Sequence, residues 1–241
     1  MSNQTSDQGS ILPISDFDEP VSKSTDDRPS WRGWLHAGAL PVVVAGGIVL
    51  IVLAHGVPAK ITAAVFFLCS FLLFGNSALY HRFNWKPKTK LVLKRIDHAN
   101  IFLLIAGSYT PITWLALPQQ QALMLLSIVW GIALLGIGFR VFWIHAPRWL
   151  YTPIYVGMGW VALVYVADFM RANAPMMILI LAGGLCYTLG AVVYGTKWPN
   201  PSPKNFGFHE IFHAFTVVAF LCHWTGILLI SLNPIPGSFG A

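Results

Sequence analysis

The chain has 241 residues, of which 56% are hydrophobic and only 10% are charged, and its mean hydropathy is +0.63. Soluble domains carry about 25% charged residues, so this composition excludes an ordinary soluble domain and indicates a membrane protein. The formal net charge of +6 does not indicate a nucleic-acid partner, because the basic residues stand in short segments beside long apolar runs.

A polar leader precedes the apolar runs. Its first 27 residues contain six acidic side chains and hardly any aromatic ones, a composition that favours disorder. Neither a basic segment nor a small-residue cleavage site precedes the first apolar run, so we expect no removable signal peptide. We therefore divide the chain into a disordered leader, residues 1–30, and a membrane domain, residues 31–241.

Long uncharged runs then predict the membrane-spanning helices. Each run can cross about 30 Å of hydrocarbon, but the 42 residues of 98–139 would extend about 63 Å as one helix. We expect two helices there, separated at Pro118-Gln119-Gln120-Gln121, because proline ends helices and glutamines prefer water. The sequence therefore predicts an all-α bundle of seven membrane-spanning helices. The uncharged runs are 37–55, 61–80, 98–139, 149–167, 172–196 and 211–241.

The basic residues predict how this bundle is inserted. Of the 15 lysines and arginines, 13 lie in the leader or in loops on the leader's side, and only Lys60 and Arg171 lie on the other side. The positive-inside rule then places the N-terminus in the cytoplasm and the C-terminus outside the cell membrane.

Small residues inside the apolar runs predict packing rather than chemistry, and we expect spans four to six to carry no functional site. Glycines in those spans predict close helix contacts, at Gly131, Gly136, Gly157, Gly183 and Gly190. Single cysteines without CxxC spacing are interpreted as small hydrophobic residues, at Cys69, Cys186 and Cys222.

Polar side chains that do carry chemistry cluster at three span ends. His209 and His213 stand four residues apart at the start of span seven, so they share one face of a helix. Ser77 and His81 share a face in the same way at the end of span two, and Asp97 opens span three. The predicted topology places all these ends in the cytoplasmic leaflet, at similar depth.

This cluster predicts a zinc site. Three neutral imidazoles with an open fourth position are the ligand set of catalytic zinc, and zinc lowers the pKa of water that it binds to about 7. We predict that His81, His209 and His213 bind Zn²⁺, that Asp97 accepts the proton of the water and that Ser77 steadies the water or a polarised carbonyl. The alternative is a structural polar cluster that ties the three spans together, with Asp97 capping span three.

The remaining histidines are assigned no catalytic role. His36, His55 and His145 lie at predicted span ends or in loops, where surface exposure is the ordinary explanation. We expect His223 to be a hydrogen-bonded core residue and His98 to lie at the membrane interface.

The same segments resemble the hemolysin III family, the bacterial branch of the progestin and adipoQ receptor family. The resemblance covers nearly all of residues 31–232 and extends to the wider superfamily that includes alkaline ceramidases. The segments that carry it are Ser77-Ala-Leu-Tyr-His81, Arg95-Ile-Asp97-His98, Ala106-Gly107-Ser108-Tyr109-Thr110-Pro111 and Gly207-Phe-His209-Glu-Ile-Phe-His213.

The resemblance implies a seven-helix bundle with zinc bound by the three histidines near the inner leaflet. It also implies that Asp97 and Ser77 act on the water bound to that zinc. It implies a zinc-dependent hydrolase that acts on a membrane lipid amide or ester and influences lipid homeostasis, since adiponectin-receptor relatives are linked to ceramide hydrolysis. Two alternatives stay open. One is a membrane sensor with structural zinc, and the other is a cytolytic protein, which seven fully apolar spans favour less.

Overall fold

A computed structural model describes residues 29–240, in which seven helices are long and apolar enough to cross a membrane. Apart from an isolated bridge between Ser202 and Phe206, all regular structure of these residues is helical. The predicted seven-helix membrane bundle is confirmed, whereas nearly all of the predicted leader lies outside the described residues. The helices are α1 (Trp34–Leu53), α2 (Gly56–Arg82), α3 (Pro87–Ala116), α4 (Gln119–Phe142), α5 (Arg148–Ala172), α6 (Ala174–Thr196) and α7 (Phe208–Leu232).

Helix α3 begins earlier than the sequence predicted. Its first residue is Pro87, because proline suits the first turn and the lysines and leucines that follow favour helix. With 30 residues, α3 is about 45 Å long and exceeds the hydrocarbon thickness. Asp97 is therefore inside the helix rather than at its end. The prediction that Asp97 opens span three was wrong, and the alternative in which it caps that span is excluded.

The break between α3 and α4 lies where the sequence predicted it, although the glutamines behave differently. Pro118 is the N-cap of α4, and Gln119, Gln120 and Gln121 form its first turn. Because glutamine is a good helix former, Gln119 and Gln120 are exposed at the bundle end without breaking the helix, whereas Gln121 is partly buried.

Helix α5 contains a 3₁₀ stretch, Val161–Tyr165, between two α-helical parts. The Tyr109 hydroxyl of α3 donates to the Gly159 carbonyl at 2.8 Å and accepts from the Ala162 amide at 2.7 Å. This tyrosine thus satisfies backbone groups that the change in helix type leaves free.

Only some of the span glycines make the predicted close contacts. A methyl group added to Gly136 would lie 2.3 Å from the Phe102 ring, and one on Gly183 would lie 2.4 Å from His223. Gly190 packs on Phe215 in the same way. No described atom lies within 4 Å of a methyl group placed on Gly131 or Gly157, so the packing interpretation was wrong there. The cysteines are unpaired, as predicted: Cys69, Cys186 and Cys222.

A short N-terminal segment, residues 29–33, ties the start of α1 to the loop before α7. The amides of Ser30 and Trp31 donate to the carbonyls of Lys204 and Asn205 at 3.0 and 3.2 Å. Gly33 then turns the chain with a φ of 80°, and a methyl group on it would lie 3.0 Å from the His81 Cβ. Glycine is required here by both the backbone conformation and the close approach to α2.

Arg32 and Glu210 form the strongest polar link between this segment and α7. The Arg32 Nε donates to the Glu210 Oε1 at 2.6 Å, and the Glu210 side chain is only 2% exposed. The other carboxylate oxygen of Glu210 accepts the amide of Gly207 at 2.9 Å, which caps α7. Glu210 belongs to the same first turns of α7 as His209 and His213, so the pair between Arg32 and Glu210 helps to position both imidazoles.

We expect Arg32→Ala to destabilise the protein, because it leaves the Glu210 carboxylate buried without its cation. Breaking a buried pair costs about 3–5 kcal/mol, and the partial exposure of Arg32 reduces the expected loss to about 1–3 kcal/mol. Thermal unfolding of the purified protein in detergent should show a lower midpoint. Arg171→Ala is the control, since its pair with Asp168 is exposed and should contribute less than about 1 kcal/mol. Equal midpoints for the two variants would contradict this role of Arg32.

Candidate metal centre

Three imidazoles from two helices meet at one end of the bundle, as the sequence predicted. The last turn of α2 carries His81, and the first turns of α7 carry His209 and His213 on one face. One ring nitrogen from each histidine lies within 4.8 Å of those from the other two. The Nε2 atoms of His81 and His209 are 3.3 Å apart.

One of these distances has the value that a tetrahedral metal ion requires. With zinc–nitrogen bonds of about 2.0–2.1 Å, two ligand nitrogens on the same ion lie roughly 3.3 Å apart. The separation between His81 and His209 has this value, and the His213 nitrogen lies within 4.8 Å of both. All three donors are imidazole nitrogens, which suit zinc and other borderline divalent metals rather than magnesium or calcium.

Asp97 lies beside the three histidines rather than among them. Its Oδ2 is 3.8 Å from the Nε2 of His81, and its side chain is 17% exposed. The side chains of Ser77 and Asn76 lie next to the carboxylate. The predicted residues Asp97 and Ser77 are therefore brought to the imidazoles, and α2 adds an asparagine that the sequence analysis did not single out.

A fourth histidine, His36 of α1, also belongs to this cluster. It is 2% exposed, and its ring stacks on that of His213 with centroids 3.8 Å apart and planes 6° apart. Neither ring nitrogen has a hydrogen-bond partner among the described residues. The expectation of surface exposure was wrong, because the segment 29–33 carries α1 across the bundle end. Two parallel stacked rings cannot direct their in-plane lone pairs to one point, so His36 forms a wall of the centre.

The other histidines divide into buried and exposed ones. His98 is buried, and its Nδ1 lies 2.7 Å from the Lys94 carbonyl. The early start of α3 explains this, since it places His98 three turns inside the helix. His223 is the predicted core residue, with its Nε2 3.3 Å from the Ile180 carbonyl. His55 and His145 are exposed, as predicted.

Arg148 of α5 and Tyr194 of α6 lie near this centre, and Arg140 of α4 packs on Tyr151 of α5. Arg140 is 1% exposed, and its guanidinium carbon lies 4.2 Å from the Tyr151 ring centre. Arg148 lies 4.8 Å from the ring centre of Tyr194, and that ring is 5.7 Å from His209. The two arginines stand at the ends of apolar runs, where the sequence analysis interpreted them only as topology signals.

Two cavities of about 710 and 590 Å³ open on the bundle surface. The first lies between α2, α3 and α4 beside Trp114 and Trp130, and the second lies between α1 and α2 beside Trp34. Neither is lined by the three histidines. The side chains of His81 and Asp97 remain 10% and 17% exposed, which marks the open side of the centre.

Comparison with known proteins identifies the family of the chain. The profile of the family described as "Haemolysin-III related" matches residues 25–224. The chain is 33% identical to "Hemolysin-3" of Bacillus cereus over 174 residues, which cover 70% of this chain and 76% of that protein. It is 34% identical to the "Hemolysin-3 homolog" of Bacillus subtilis over 159 residues, which cover 65% and 71%.

A more distant similarity links the chain to a eukaryotic receptor-like protein. It is 25% identical to the "Progestin and adipoQ receptor-like protein 1" of Caenorhabditis elegans over 187 residues, covering 70% of this chain and 43% of that protein. With seven apolar helices and these relatives, the chain is a multi-pass protein of the cell membrane. It belongs to the hemolysin III family, within the progestin and adipoQ receptor superfamily.

Proposed function

We propose that the protein is a zinc-dependent hydrolase that acts on an amide or ester bond of a membrane lipid. The observation that carries this proposal is the meeting of three imidazole nitrogens within 4.8 Å, with a carboxylate beside them rather than among them. A structural zinc site usually has four protein ligands, whereas a catalytic one keeps a position for water or substrate.

His81, His209 and His213 would hold the ion. A bound zinc ion supplies Lewis-acid activation of water and of the lipid carbonyl. The chain would provide the base: the Asp97 Oδ2 lies 3.8 Å from the His81 Nε2, too far for a direct hydrogen bond but beside the position that a metal-bound water would occupy. Ser77 and Asn76 lie beside this carboxylate and would help to orient it.

The proton balance of the reaction assigns two steps to Asp97. As water adds to the carbonyl carbon, Asp97 accepts one proton. When the carbon–nitrogen or carbon–oxygen bond breaks, Asp97 returns that proton to the leaving amine or alcohol. The products are a carboxylic acid and an amine or alcohol. A lipid is the proposed substrate because the centre lies at the end of a bundle whose outer surface is apolar.

Metal content tests the first half of the proposal. Purified protein should contain about one zinc per chain, and the double variant His209→Ala with His213→Ala should lose most of it, because a single imidazole holds zinc poorly. Elemental analysis after gel filtration measures the ratio. His145→Ala is the control, since this exposed histidine lies outside the centre. Zinc that stays stoichiometric in the double variant would refute the ligand assignment.

Asp97→Asn separates a catalytic from a structural zinc. Asparagine keeps the size and a hydrogen-bonding oxygen but cannot accept the proton, so zinc content and unfolding temperature should be preserved. Loss of a general base typically lowers turnover by about 10²- to 10⁴-fold. The measurement is release of fatty acid from ceramide and ester lipids by the zinc-loaded protein.

Asp168→Asn is the matched control, because this carboxylate lies in the exposed pair with Arg171. Parent-like turnover of Asp97→Asn at full zinc occupancy would contradict the assigned base. A zinc-loaded parent that releases no fatty acid from either lipid class would instead favour the alternative of a membrane sensor with structural zinc.

A further inference from the structure

A groove on the outside of the bundle lies next to the candidate metal centre but on another face of α2. It encloses about 590 Å³ between α1 and α2. Small side chains create it, namely Ala37 of α1 with Gly75 and Ala78 of α2, and Leu40 and Leu79 extend its apolar lining. A groove with such walls on a membrane-spanning surface fits a hydrocarbon chain.

Arg82 stands at the end of this groove where α2 finishes. Its guanidinium carbon lies 4.4 Å from the centre of the Trp34 ring, so the indole holds it in place across the groove. No carboxylate of residues 29–240 lies within 4 Å of it. Because stacking occupies a face of the planar group, the N–H donors along its edge remain available, and their fork geometry matches phosphate oxygens.

The surroundings of Arg82 are positive. Exposed Lys86, Lys88 and Lys90 follow it at the start of α3. The acidic residues of the described chain are engaged elsewhere: Asp168 with Arg171, Glu210 with Arg32, and Asp97 at the histidines. Each basic residue near a membrane surface attracts anionic lipid by about 1 kcal/mol, so these lysines favour a net negative headgroup over a zwitterionic one.

We propose that this groove binds one anionic phospholipid, with its phosphate on Arg82 and an acyl chain between α1 and α2. The occupant comes from the leaflet that the α2–α3 loop faces, since the apolar groove and the cationic end meet at that interface. The inference does not depend on the proposed hydrolysis, because none of the three histidines lines the groove.

Native mass spectrometry of the full-length protein tests the headgroup contact. The protein is extracted from nanodiscs that contain equal parts of phosphatidylglycerol and phosphatidylcholine. We expect the parent to retain one phosphatidylglycerol, and Arg82→Gln to retain about tenfold less, as loss of a charge-assisted hydrogen bond predicts. Arg171→Gln makes the same change in charge at an exposed position outside the groove, and it should retain lipid like the parent.

A second variant tests the chain-binding part of the groove. A methyl group added to Gly75 would meet only Leu40, at 3.9 Å, so Gly75→Leu has room to fill the groove and should also lose the lipid. Thermal unfolding midpoints confirm that each variant is folded. If Gly75→Leu does not fold, the comparison of Arg82→Gln with Arg171→Gln still tests the proposal, because Arg82 is exposed and its substitution should not affect folding.

Three outcomes would overturn the proposal. Equal losses for Arg82→Gln and Arg171→Gln would show attraction by overall charge only. Full retention by a folded Gly75→Leu would place the lipid elsewhere. Equal retention of phosphatidylcholine and phosphatidylglycerol by the parent would show that Arg82 and the neighbouring lysines do not select an anionic headgroup.

Discussion

The pair between Arg32 and Glu210 is the interaction on which the arrangement of the histidines depends. Glu210 is buried at the start of α7, and its two oxygens bind Arg32 and the Gly207 amide at 2.6 and 2.9 Å. One carboxylate therefore sets both the first turn of α7 and the entry of the chain into α1. The first turns of α7 carry His209 and His213. The position at which the chain enters α1 places His36 where it stacks on His213.

The histidine cluster is costly in an apolar bundle, which is itself an argument for a ligand. A polar group removed from water without a hydrogen bond costs roughly 1–3 kcal/mol on the scale of protein variants. His81 and His209 can share only one proton between their Nε2 atoms, and the nearest carboxylate oxygen is 3.8 Å away. A single divalent ion would satisfy three nitrogens at once and would offset this cost.

The sequence predicted the spans and the grouping of His81, His209 and His213 because both depend on short-range patterns. Hydropathy finds apolar runs, and the four-residue spacing in His209 and His213 follows from helix geometry alone. Hydropathy does not locate helix ends in water, so the start of α3 at Pro87 was missed, and with it the burial of His98. His36 and Arg148 were missed for a different reason. Their partners, His213 and Tyr194, are distant in sequence, and a local sequence pattern does not predict contacts of this kind.

The last turns of α2 carry two kinds of chemistry on neighbouring faces. Ser77 and His81 are four residues apart and face the bundle, while Ala78 and Arg82 are displaced by one residue and line the outer groove. One residue turns a helix by about 100°, so these stripes are adjacent but separate. The outer groove and the histidine centre thus lie on neighbouring faces of one helix end and share no lining residue.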